Sequence, residues 1–229
     1  MISVVIPVGP QPVYRQYFQE CLDSLKAQTT PFSDVMLIDD MADLDKWDLD
    51  YGKLPIRIHK NPWLAGCAHS INFGVALAKN ELIMLLGSDD IAQPWLVEDL
   101  TKAWEAHKDP IGYYHCDVEY NIPVGETQGC ACGAAMVTKG LWERSGGFPP
   151  ESSVGATDTM FISIMLVHKD SGHMWRVESE KPPVYYRRHS ESLTAKLGPW
   201  QGVIFETRNI LARDWKAPEW SKKRLTGHS

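Results

Sequence analysis

Five apolar residues in an unbroken run, Leu82 to Leu86, close on Gly87-Ser88-Asp89-Asp90. A run without polar alternation belongs to a strand covered on both faces, as in the middle of a parallel sheet, and such a sheet needs helices above and below it. The acids that follow the strand are then displayed outside its carboxyl end, where open α/β sheets bind ligands. Two adjacent acids are costly to bury as ions without a cation, so a hard divalent metal with a phosphate ligand is a natural partner. The other reading is a plain strand-to-loop turn, for which Gly-Ser-Asp-Asp is suitable chemistry. The run from Asp34 repeats the arrangement and delivers Asp39 and Asp40 at its carboxyl end.

Around these two runs the chain alternates strand and helix. Ile2 to Val8 reads as a first buried strand, ended by Pro7-Val8-Gly9-Pro10. A helix over about Val13 to Gln28 follows, with Tyr17, Cys21, Leu22 and Leu25 as an apolar stripe. Ile56 to His59 is a short third strand, and the turn Asn61 to Gly66 opens a helix reaching about Lys79. Pro94 suits the first turn of a helix over Trp95 to His107. Strands are expected at Ile111 to Cys116, Ala134 to Thr138, Met174 to Val177 and Val184 to Arg188, and helical segments at Leu141 to Ser145, Asp158 to Lys169 and Gln201 to Trp215. Residues 121 to 132 read as a loop and Ser152 to Ala156 as a mobile small-residue segment. The order predicts an α/β fold with a Rossmann-like, mostly parallel sheet flanked by helices. It is one compact domain in two halves, 1–117 and 118–198, followed by a helix and basic tail over 199–229.

Composition removes several classes. A formal charge of −6 gives no indication of duplex nucleic-acid binding, which draws on Lys and Arg against phosphate, although a local basic patch stays compatible with it. No apolar segment reaches the length of a membrane span. Five cysteines, an odd number at irregular spacing, favour free thiols in a reducing compartment, so a cytoplasmic location is expected. The paired short spacings of structural zinc are missing.

With these pieces in order, the chain resembles the family 2 glycosyltransferases, nucleotide-sugar-dependent enzymes of the GT-A fold. The resemblance runs from Ile2 to about Thr194. It is carried by Val4-Val5-Ile6-Pro7, by Val35 to Asp40, by Gly66 to Asn72 with Gly74, and by Leu85 to Asp90. Gly133 to Met136, Gly146-Gly147-Phe148, Thr157-Asp158 and Tyr185 to His189 continue it. It implies that the first half binds the nucleotide and the second shapes the acceptor site. Pro7, Val8, Asp39, Gly66, Asn72 and Ser88 are then the nucleotide-binding residues. Asp39 would accept the imide N–H of a base, typically uracil.

The same resemblance gives Asp89 as a ligand of Mn²⁺ or Mg²⁺, with Asp90 and His189 as further ligands and Arg187 and Arg188 as phosphate contacts. Gly87 stands where the family's Asp-x-Asp motif has its first acid, so that contact is lost, and Asp90 is the candidate to compensate. Metal affinity is expected to be modest, with Mn²⁺ preferred. Asp158 matches the acid of the family's Glu-Asp pair, with Thr157 in place of the Glu. In inverting members this Asp is the general base that takes the proton of the acceptor hydroxyl. Its competing role is a helix N-cap.

The function expected is a metal-dependent, inverting transfer of one sugar from a nucleoside diphosphate donor, uridine-linked, to a hydroxyl acceptor. The acceptor, a glycan, a protein, a lipid-linked sugar or a modified nucleobase, is not legible, and neither is the oligomeric state. The alternatives are a noncatalytic nucleotide-sugar or partner-binding module, and a nucleotidyltransferase. The second would need a basic Gly-rich loop after the first strand, and Val8-Gly9-Pro10-Gln11-Pro12 has no lysine.

Overall fold

A computed structural model of the chain describes residues 1–120, 134–148, 161–163, 165, 172–191 and 216. In chain order the elements are β1 (Ile2–Val8), α1 (Pro12–Lys26), β2 (Asp34–Asp39), β3 (Ile56–Lys60), α2 (Cys67–Leu77), β4 (Leu82–Leu86), β5 (Ile91–Ala92) and α3 (Leu96–His107). They continue with β6 (Gly112–His115), β7 (Val118–Tyr120), β8 (Ala134–Thr138), α4 (Lys139–Ser145), β9 (His173–Arg176) and β10 (Val184–Tyr186). Seven strands form one sheet in the order β3-β2-β1-β4-β8-β6-β9. All neighbours in it are parallel except at β8, which runs antiparallel to both β4 and β6.

Alternate residues of the strands supply two cores. Val4, Ile6, Val8, Leu37, Met84 and Leu86 meet Phe18, Cys21 and Leu22 of α1 and Leu96 and Leu100 of α3 on one face. Val5, Ile38, Ile83 and Leu85 meet Ile71 and Val75 of α2 and Leu141 and Trp142 of α4 on the other. Both faces are covered, which is why these strands read as continuous apolar runs. Helix α2 lies so close that a Cβ at Gly74 would run into the Val5 side chain.

The order of strands places the ligand crevice. From β1 the chain adds β2 and β3 outward on one side, then returns through α2 to lay β4 on the other, so the winding reverses between β1 and β4. Ligands in such sheets sit at the carboxyl ends of the strands flanking that reversal. Here these ends are Pro7-Val8-Gly9 and Gly87 to Asp90.

Three elements depart from expectation. Val184–Tyr186 is not in the main sheet; it is the centre of a second, three-stranded sheet, β5-β10-β7, pairing antiparallel with β5 and parallel with β7. Strands β5 and β7 were not anticipated because two or three residues carry no readable period. Tyr17 is not a core residue of α1; Phe18 takes that place, fully buried. The expected segments at 121–132, 152–156 and 201–215, and most of the one at 158–169, lie outside the described residues. Among the described residues no helix is long and apolar enough to cross a membrane, and Cys21, Cys67 and Cys116 form no disulfide.

A buried ion pair fastens the end of the sheet opposite the crevice. Asp34 at the start of β2 is fully buried, and Arg57 on β3 grips it with two N–H bonds of 2.8 Å. The Ser3 hydroxyl and the Lys79 N–H donate to the same carboxylate. Burial pushes the Asp34 carboxyl up, but these donors outweigh it and hold it below the usual range. Its contribution to stability is therefore present above the ordinary aspartate pKa and is lost as pH falls through the folded-state value. Arg57→Leu, which leaves this carboxylate half-satisfied, is expected to cost about 3 kcal/mol at neutral pH. Thermal melts should show the deficit shrinking on acidification; a pH-independent deficit would mean that packing, and not the pair, is lost.

Candidate functional site

The loop after β4 turns inside a tight space. Asp90 is only 2% exposed, and Ser88 is equally enclosed at 3%. The reason for glycine at 87 is steric: a Cβ there would stand 2.5 Å from Asp90 Oδ2 and 3.1 Å from Asp89 Oδ1. The Asp90 carboxylate thus occupies the room that a side chain at 87 would take. Burial, and then the charge of Asp89, push the Asp90 carboxyl well above its ordinary value, opposed by Arg187.

The segment that follows β10 closes on this loop. The antiparallel pairing of Val184 with Ala92 and Tyr185 with Ile91, carried two residues further, brings Arg187 opposite Asp89. The Arg187 N–H donates to Asp90 Oδ1 at 2.9 Å, and its Nε donates to the Asp89 carbonyl at 3.0 Å. Its guanidinium lies 4.0 Å over the Tyr17 ring and binds Glu20 at 2.6 Å. Two residues on, His189 Nε2 lies 2.8 Å from Asp89 Oδ2, with Tyr14 edge-on to the imidazole and Tyr17 tilted against it. Cys21 closes the arrangement from below, its thiol donating to the Gly87 carbonyl at 3.5 Å.

Asp89, Asp90, Arg187 and His189 are therefore brought together, but with different work. Asp89 and His189 form a carboxylate–imidazole pair at the mouth of the crevice, Asp90 is packed inward, and the Arg187 guanidinium is engaged by protein groups. Arg188 is half-buried in the same segment. An oxygen and an imidazole nitrogen are suitable donors for Mn²⁺, and a site that leaves coordination positions to phosphate and water suits an ion that binds with its substrate. Among the described residues no third histidine, cysteine or acid joins them as a closed cage.

On the β2 side the paired acids hold loops. Asp39 is 1% exposed and accepts the backbone N–H groups of Ala42, Asp43 and Leu44. An ionised carboxylate has about four acceptor sites, so one remains. Asp40 accepts from Asn61 and from the N–H groups of Ala65 and Gly66, fixing the entry to α2. Val8 has its side chain in the core, while Pro7 beside it is partly exposed. Asn72 clamps Phe148 through both its N–H and its carbonyl, and also accepts from the Trp142 indole. Its amide is thus committed to packing. Asp158 lies outside the described residues.

Sequence reasoning missed Tyr14, Tyr17 and Glu20 as members of this site. Their only signal was that Tyr14, Tyr17 and Glu20 recur at helical spacing on α1, next to the stripe that enters the core.

This crowding has a measurable consequence at Gly87. Gly87→Ala should cost about 1–3 kcal/mol, the range for inserting a methyl group into a filled site. A variant that melts with the wild type would show that Asp90 does not fill the space.

Comparison with known proteins adds the following. The family described as glycosyl transferase family 2 matches residues 3–128. The glycosyltransferase GlyG of Streptococcus pneumoniae serotype 4 is 27% identical over 106 residues, which are 44% of this chain and 34% of that protein. The structure of S. aureus TarS 1-349 in complex with UDP-GlcNAc superposes with a TM-score of 0.67 at 18% identity, covering 85% of this chain and 60% of that one. The mannosyltransferase PcManGT from Pyrobaculum calidifontis, in complex with GDP-Man and Mn²⁺, gives 0.62 at 19% identity over 98% and 67%. The chain thus spans about a third of GlyG's length and three fifths of the TarS chain. The fold is that of the GT-A glycosyltransferases.

Proposed function

Since the chain belongs to glycosyl transferase family 2, we propose that it transfers a sugar from a nucleoside diphosphate donor to a hydroxyl acceptor. One observation carries this: the Asp89–His189 pair stands at the reversal point of the sheet, beside the carboxyl end of β1. The relatives crystallised with UDP-GlcNAc and with GDP-Man and Mn²⁺ support a nucleotide-sugar donor and a divalent ion. Uridine is the first candidate base, because the remaining acceptor site of Asp39 suits a ring imide N–H.

Asp89 and His189 are the residues that would hold the ion, with the Asp90 carboxyl buried behind them. Bound there, Mn²⁺ or Mg²⁺ would offset the charge that develops on the departing diphosphate. Pro7, the one partly exposed residue of β1, faces the nucleoside, and Arg188 in the segment after β10 contacts phosphate. Asp158 takes the proton of the acceptor hydroxyl as its oxygen bonds to the anomeric carbon and the bond to the diphosphate breaks on the opposite face, which inverts the configuration.

Two measurements test this. In thermal melts with UDP, GDP, CDP or dTDP, each with Mn²⁺, Mg²⁺ or chelator, the cognate nucleotide at a hundred times its dissociation constant should stabilise by about 2.7 kcal/mol. The shift should shrink with chelator and in His189→Ala; no shift under any condition would remove the nucleotide site. Asp158→Asn should keep that shift while donor turnover falls by about a hundredfold or more. Near-normal turnover would take Asp158 out of the base role.

A further inference from the structure

Resting on that reading of the crevice, we infer that Tyr14 is a donor-recognition residue, its ring walling the passage between nucleoside and diphosphate and its hydroxyl donating to a phosphate oxygen. Three observations converge on it. Gly9, just past the end of β1, has no side chain, and the Gln11 amide and the Tyr14 ring together cover the gap: a Cβ at Gly9 would stand 2.5 Å from Gln11 Oε1 and 3.3 Å from Tyr14 Cε2. The same ring meets His189 of the Asp89–His189 pair, with ring centroids 6.5 Å apart at 73°. The phenol is also within electrostatic reach of Asp89 and Asp90 and of Cys67 in the first turn of α2. One half-buried side chain therefore touches or faces the end of β1, the loop after β4 and the start of α2, which are the three walls of the crevice.

The chemistry fits a diphosphate better than any group already present. Among the described residues none hydrogen-bonds to the phenol; the neighbouring carboxylates act on it through charge alone. A neutral O–H donates to a phosphate oxygen without adding a cation beside the Asp89–His189 pair. Of the two guanidinium groups that the resemblance gives to phosphate, Arg187 is held by Glu20, the Asp89 carbonyl and the Tyr17 ring. Tyr14 stands in the first turn of α1, where Pro12 is the first helical residue, so its backbone is set by the helix start and not by a free loop.

The test is a calorimetric titration of the full chain with UDP and GDP in Mn²⁺, and with uridine and guanosine, for wild type, Tyr14→Phe and Tyr14→Leu. Tyr14→Phe keeps the ring against Gly9 and His189 and removes only the donor. It should lose about tenfold in affinity for the diphosphate that wild type binds, the size of one hydrogen bond to a charged acceptor, and nothing for the bare nucleoside. Tyr14→Leu, which also removes the wall, should lose more and should weaken the nucleoside too. Equal diphosphate affinity in wild type and Tyr14→Phe overturns the assignment of Tyr14 while the nucleotide site stands. A Tyr14→Phe loss that is as large for the bare nucleoside overturns it as well, because the defect would then lie in the shape of the pocket. A wild type that binds neither diphosphate overturns the nucleotide reading itself and Tyr14's role with it.

Discussion

Asp90 is a carboxylate closed off from water beside a second carboxylate, and the arrangement of the site follows from that charge. Burial and Asp89 both act against its ionised form. A group in that position is tolerated when donors and a cation are fixed around it. The chain supplies a donor and the cation from Arg187, 97 positions away, and a further backbone bond from Gly87. Arg187 can remain there because its own charge is met by Glu20 and its flat face by Tyr17. Two residues of the loop after β4 thus draw α1 and the end of β10 into one cluster, and His189 arrives at Asp89 as part of the same segment.

The small second sheet gives this cluster its register. With only two residues, β5 would be marginal alone, but β10 pairs with it on one side and with β7 on the other. Pairing Tyr185 with Ile91 sets which later residue faces which acid, since a slip by one would point each side chain to the opposite face. The main sheet meanwhile fixes where the acids stand. Strand β8 comes late in the chain, yet it lies between β4 and β6. Residues from both halves of the sequence therefore build the same scaffold under the crevice.

Much of this was legible in residue order. The runs Leu82 to Leu86 and Asp34 to Asp39 appear as strands at those bounds, because a strand covered on both faces leaves an unbroken apolar stretch. The proximity of Asp89, Asp90, Arg187 and His189 was reachable only through the resemblance, since nothing local ties residue 89 to residue 189. What could not be read was how each polar group is spent. Asp39 and Asp40 look alike at the end of β2, and one holds the turn after β2 while the other holds the entry to α2. Arg187 and Arg188 are adjacent cations, and partners far away in sequence decide that the first is a clamp. Asn72 sits in a stretch that the resemblance gives to the nucleotide, and its amide is taken by Phe148 and Trp142. Tyr17 carries a helical period and still leaves the core to Phe18, because a phenol ring there meets a guanidinium.

Gly87 and Asp90 are best understood as one choice. A side chain at 87 and the Asp90 carboxylate compete for the same volume, as the 2.5 Å approach of a Cβ at 87 to Asp90 Oδ2 demonstrates. Glycine at 87 therefore leaves that volume to the Asp90 carboxyl. The consequence is electrostatic as well as steric. Asp90 is enclosed, and burial and the neighbouring Asp89 both disfavour its charged form, opposed by Arg187. The loop buries Asp90 and leaves Asp89 in front of it, with the His189 imidazole 2.8 Å from Asp89 Oδ2.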